Sequence, residues 1–106
     1  MNALVESRRP RIAEICRRYG VRRLDLFGSA TQTQDGGFDP DRSDVDFVVL
    51  FEDREPPQLF DRYFGLKEDL EGLFGRGVDL VMEGALGKNP RFARSVEESR
   101  VPVYAS

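Results

Sequence analysis

Asp44 and Asp46 are separated by a single valine, so on an extended segment both carboxylates point to one face while Val45 points to the other. Two neighbouring carboxylates repel at neutral pH unless a cation or a proton stands between them, which suits a divalent metal held together with substrate phosphates. Taken alone, an Asp-x-Asp is more often two surface acids at the solvated start of a strand. Gly28-Ser29 follows an apolar stretch. A glycine there lets backbone amides approach an anion, and the serine hydroxyl adds a donor; the plainer reading is a turn that ends a strand. Asp79 lies between Val78 and Leu80, where a buried carboxylate is costly unless it is paired, hydrogen-bonded or metal-bound. A residue at a strand edge that reaches solvent is the alternative.

The elements that must position these residues can be read from periodicity. Ile12, Ile15, Cys16 and Tyr19 recur at helical spacing before Gly20, predicting a helix over about residues 3–19 that begins or kinks at Pro10. Val21 to Phe27 reads as a strand running into Gly28, and the polar residues 30–43 as a loop with one short helical turn at its start. The β-branched and aromatic run Val45 to Phe51 predicts a strand buried on both faces. Pro56-Pro57 closes the next connection, after which Leu59, Tyr63, Leu66, Leu70 and Leu73 mark a helix up to Gly75. Val78 to Met82 predicts a third strand, followed by a Gly-rich turn, a helix over about residues 90–98 and a short strand over Val101 to Tyr104. Strands and helices alternate, giving an α/β or α+β fold with a small sheet covered by helices; parallel and mixed pairing both remain open. The aromatic residues Phe60, Tyr63, Phe64 and Phe74 are assigned mainly to the core, and any left exposed would mark a partner surface. The basic runs Arg8 to Arg11, Arg17-Arg18 and Arg22-Arg23 read as solvated faces.

The length of 106 residues suits one domain spanning 1–106 with one site. Sixteen basic and 19 acidic residues leave a net charge of -3, which lacks the cationic field that drives binding to long nucleic acid. A small nucleotide held by a metal and a few donors stays open. One cysteine allows no internal disulfide, and the absence of histidine leaves carboxylates, hydroxyls, Lys and Arg to do any chemistry. It also excludes a zinc site. Asp39, Asp41 and Ser43 begin like a calcium loop, but Asp44 stands where a glycine is needed and Leu50 where a glutamate is. Gly84 to Asn89 has neither the glycine spacing nor the hydroxyl of a P-loop. The N-terminus meets charge before any long apolar run, so no membrane segment or signal peptide is expected and the chain is placed in the cytoplasm.

The combination is more specific than its parts. Leu-Phe-Gly-Ser-Ala at 26–30, Ser-Asp-Val-Asp-Phe-Val-Val at 43–49 and Val-Asp-Leu-Val at 78–81 occur in order, and with their helices they cover nearly the whole chain. In this the sequence resembles the minimal nucleotidyltransferase domain of the polymerase-β superfamily. The resemblance implies a small mixed β-sheet flanked by helices. It further implies that Gly28 and Ser29 bind the triphosphate and that Asp44 and Asp46 hold magnesium, two ions being the usual number. Asp79 would then assist metal binding and deprotonation of the acceptor. The sequence departs from the family in a longer connection over residues 30–43 and in Gln32, which stands about where the family usually has an arginine; Arg42 is a possible substitute.

The resemblance implies a magnesium-dependent enzyme that moves AMP from ATP to a hydroxyl. Minimal domains of this family commonly act as antitoxins that adenylylate a tyrosine of a partner HEPN-type RNase toxin. Two alternatives stand beside it: a non-catalytic antitoxin that blocks its partner by contact, and nucleotidyl transfer to a small molecule. Both a homo- and a hetero-oligomer are compatible with the sequence.

Overall fold

A computed structural model of the chain describes residues 3–28, 44–52 and 58–106. The expectations for Ser29, the connection over 30–43 with Gln32 and Arg42, and Pro56-Pro57 fall outside the described residues. Four strands form one sheet in the order β3-β2-β1-β4, with β1 at Val21–Phe27, β2 at Val45–Phe51, β3 at Val78–Met82 and β4 at Val101–Ala105. The central strand β1 pairs antiparallel with both β2 and β4, whereas β2 and β3 run parallel. The sheet is therefore mixed. The parallel pair needs a crossover, which is supplied by helix α3 at Leu59–Phe74.

The predicted first helix is two elements, α1 at Ala3–Glu6 and α2 at Arg9–Arg18. Pro10 sits in the first turn of α2, where its missing N–H costs nothing, and the break falls at Ser7-Arg8. Arg8 and Arg9 are not simply solvated. Arg8 Nε donates to the Leu73 carbonyl at the end of α3, and Arg9 donates to the carbonyls of Val103 and Pro102 in β4. The segment after β3 is a 3-10 helix at Glu83–Lys88 instead of an open turn. Helix α4 at Pro90–Ser99 follows, its first turn capped by the Asn89 side chain, which accepts from the Phe92 N–H at 3.2 Å.

Helices cover both faces of the sheet. On one, Ile12, Ile15 and Cys16 of α2 and Leu66, Leu70 and Phe74 of α3 pack against Leu24, Leu26, Val45, Phe47 and Val49. On the other, Leu86 and Val96 close a smaller cluster with Phe27 and Val48. Alternation along β2 sends residues 45, 47 and 49 to the larger cluster, leaving Asp46 and Val48 on the face of α4. The expectation of a strand buried on both faces holds except at the half-buried Asp46 and at Leu50, which is 39% exposed.

An ionic knot pins α4 to the central strand. Asp25 on β1 is fully buried and accepts from Arg23 at 3.0 Å and from Arg100, just past the end of α4, at 2.8 Å. The Arg100 side chain is 10% exposed and also bonds Glu83 and Glu97. Burial opposes its charge, but the hydrogen bonds it donates to Glu83, Glu97 and Asp25 outweigh that and hold the guanidinium firmly protonated. Removing one member leaves a buried carboxylate short of a partner, which typically costs several kcal/mol. Arg100→Met is expected to lose roughly 3 kcal/mol of stability, measured by urea denaturation as a lowered midpoint; an unchanged midpoint would show the knot to be dispensable.

Candidate active site

The parallel register places Asp46 directly across from Asp79, just as it pairs Val45 with Val78. Both aspartates follow buried valines and so leave the larger cluster for the opposite face. Asp44 lies one residue before β2 instead of within it, and its side chain is exposed. The Val45 N–H bonds the Gly77 carbonyl at 3.1 Å, which fixes how the two strands begin. From α3, Glu71 accepts from the Val78 N–H at 3.2 Å and from Lys67 at 3.3 Å, and these contacts, in that order, hold its carboxyl below the usual range.

Two glycines make room for the acids. Gly28 has φ +77°, a conformation that L side chains rarely adopt, and a Cβ on it would lie 2.6 Å from Asp46 Oδ2. A Cβ on Gly77 would lie 2.6 Å from Asp44 Oδ1. The glycine before Ser29 thus opens space for a carboxylate. Its own N–H is engaged by Ser99 Oγ at 3.0 Å, and Ser99 in turn donates to the Ser95 carbonyl. The glycine amide expected to face an anion is therefore already used on α4. Ser99 has no sequence motif to announce it; it is found only when the end of α4 is seen against β1.

Asp79 is exposed on β3, contrary to the expectation of a carboxylate buried between apolar neighbours; among the described residues no strand pairs with β3 on its other side. It nonetheless lines a cavity of about 370 Å³ with Asp46, Lys67, Phe27, Tyr63 and Phe92. Phe27 and Phe92 meet edge to face at 5.8 Å and form its apolar wall. Lys67, which the sequence marks only as a position on a helix face, brings a cation to the same cavity.

Burial, then a hydrogen bond and the charge of Asp79, and finally the charge of Asp44 push the Asp46 carboxyl up to about 6. At neutral pH these groups form a repelling set of hard oxygen donors, the chemistry that magnesium or manganese with phosphate oxygens relieves. Among the described residues no three acidic side chains gather around a single point. Asp44 stands against Gly77, while Asp46 faces Asp79 across the parallel register. The donor types fit a divalent cation, and these three carboxylates are the groups that could hold one.

Comparison with known proteins gives the same direction. The nucleotidyltransferase domain model matches residues 9–103. The protein adenylyltransferase MntA of Thermococcus cleftensis is 42% identical over 73 residues, covering 69% of this chain and 67% of the relative. The solved structure of a candidate minimal nucleotidyltransferase has a TM-score of 0.67 at 30% identity and covers 96% of both chains. A chain from the complex of an MNT antitoxin with tri-AMPylated HEPN toxin of Shewanella oneidensis has a TM-score of 0.64 at 17% identity. It covers 96% of this chain and 73% of the other, a likeness of fold.

The Asp46 carboxyl titrates higher in the folded chain than the ordinary 3.8, so the fold takes up a proton near pH 6 before the unfolded chain does. Repulsion within the set therefore costs stability above about pH 6 and fades as the pH falls toward 4. Allowing for solvent screening, Asp46→Asn is expected to stabilise the metal-free fold by about 1 kcal/mol near pH 7.5. A thermal melt would rise by roughly 4–8 °C, and the gain would shrink at pH 5. A lower melting temperature at pH 7.5 would contradict this electrostatic picture.

Proposed function

The chain belongs to the nucleotidyltransferase domain family, and from that membership we propose that it is a cytoplasmic antitoxin. It transfers AMP from ATP to a tyrosine hydroxyl of a partner HEPN-type RNase toxin. The observation that carries the reading is the Asp46–Asp79 pair, set by strand register into one cavity with the Gly28 turn against it. The adenylyltransferase relative and the fold-level likeness to an antitoxin bound to an AMPylated toxin support the choice of acceptor.

In the reaction the acceptor oxygen attacks the α-phosphorus of ATP in line with the bond to the β-phosphate. That bond breaks, pyrophosphate leaves with its electron pair, and the hydroxyl proton passes to a carboxylate. Asp79 suits the last role because it reaches solvent on the edge strand, where an acceptor on another molecule can approach. Asp44 and Asp46, aided by Asp79, would hold the magnesium ions, which when bound neutralise phosphate oxygen charge. The triphosphate would rest at Gly28 and Ser29, with the Ser29 hydroxyl as donor because the Gly28 N–H is engaged by Ser99. Lys67 on the cavity wall adds a cation toward the polyphosphate on a chain whose Gln32 replaces the usual arginine.

The test is intact-mass measurement of a HEPN-type partner after incubation with the chain, ATP and magnesium. A mass gain of one or more AMP units is expected. It should disappear with a chelator, return with added magnesium, and slow by roughly 10²-fold or more in Asp44→Asn and Asp46→Asn. Tight binding of the partner with no mass gain would replace the enzyme by an antitoxin that works through contact alone.

A further inference from the structure

Of the aromatic residues assigned to the core by pattern, only some are needed there. Phe74 is buried, but Phe60 is 78% exposed and Phe64 is 55% exposed, one turn apart on α3. The helix already buries Leu66, Leu70 and Phe74, so the fold does not require two further phenylalanines at the water surface. Together with Leu59, Met82 and Ala85 they line an apolar groove of about 380 Å³ between α3 and the edge strand β3. Its remaining wall is Tyr63, Leu80 and Val81, and the same three residues line the cavity of Asp46 and Asp79. The groove and the carboxylate cavity are thus adjoining compartments divided by one wall.

We propose that this groove docks the acceptor polypeptide, which buries an apolar segment against Phe60 and Phe64 while presenting its hydroxyl to Asp79. The proposal rests on the reading above that the acceptor is a polypeptide. A macromolecular acceptor that reaches Asp79 must lay its flanking surface on what surrounds the cavity, and across the Tyr63 wall that surface is apolar. The groove is a poor seat for a nucleobase. Among the described residues that line it, Tyr63 offers the one side-chain hydroxyl, and this already donates to the Leu80 carbonyl, so a base edge would find no free side-chain partner among them. A second copy of the chain fits no better, because a subunit seated there would lie across the approach to Asp79. An apolar segment from the acceptor has neither problem, and aromatic side chains of this kind anchor protein interfaces.

The experiment compares the full-length chain with the double variant Phe60→Ser/Phe64→Ser, using the same HEPN-type partner as probe. Both side chains lie on the surface, so the variant should keep its fold, which a thermal melt checks. The expected result is a rise of at least 10-fold in the Kd for the partner and in its KM during adenylyl transfer, with the KM for ATP unchanged. An unchanged partner Kd and KM overturns the docking site while leaving the adenylyltransferase reading intact. So does a rise in the KM for ATP alone, which would make the groove a nucleotide subsite. A wild-type dimer that the variant dissociates without loss of partner binding likewise overturns it in favour of a second copy. A wild-type chain that neither binds nor modifies the partner overturns both readings, and one that binds without transfer sinks only the enzymatic reading, the Kd still testing the groove.

Discussion

The parallel pairing of β2 with β3 sets Asp46 and Asp79 side by side, and most of the remaining structure serves to hold that unfavourable neighbourhood in place. Two carboxylates on adjacent strands would relax apart if the strands could slide or splay. They cannot, because the alternate residues Val45, Phe47, Val78 and Leu80 are locked into the larger core cluster, and a slip of one residue would turn that apolar set to the opposite face and bring the aspartates into the core. Core burial thus stabilises a register whose electrostatic cost is concentrated at the site. The cost is recovered when positive charge enters the cavity.

The second support comes from the other face of the sheet. Asp25 and Arg100 tie the end of α4 to the central strand, and this brings Ser99 against the Gly28 amide. Gly28 in turn leaves the space that Asp46 Oδ2 occupies. A chain of contacts therefore runs from a buried ion pair through a serine and a glycine to the raised carboxyl. A buried ion pair contributes little net stability, but it specifies geometry, because each charge accepts few alternative partners. Here the geometry it specifies is the placement of the Gly28 turn against the Asp46 carboxylate.

Much of this was legible in the sequence because period and residue type report burial directly. The strands at Val21–Phe27, Val45–Phe51 and Val78–Met82 and the helix at Leu59–Phe74 match their expected bounds closely. Pro10 announced the break before α2. What pattern could not supply was pairing. Nothing local in Asp79 says that its strand forms the sheet edge, so its exposure was misjudged. The knot of Asp25, Arg23, Glu83 and Arg100 joins segments far apart in the chain, each of which reads alone as an ordinary surface charge. Phe60 and Phe64 were misassigned for a related reason: helical spacing reports which residues are apolar, not whether the fold has a surface to set against them.

The central claim is that burial, together with the register that sets Asp79 across from it and the nearby charge of Asp44, raises the affinity of the Asp46 carboxyl for protons, and that the same gathering of carboxylates favours a cation. Carbon-detected NMR titration of the aspartate carboxyls tests it most directly, recorded on the free chain and again with magnesium and a non-hydrolysable ATP analogue. The account predicts a titration of Asp46 near 6 in the free chain, displaced well below the usual carboxylate range once metal and nucleotide are bound. A free-chain midpoint at the ordinary value near 3.8, unmoved by magnesium and nucleotide, would contradict it.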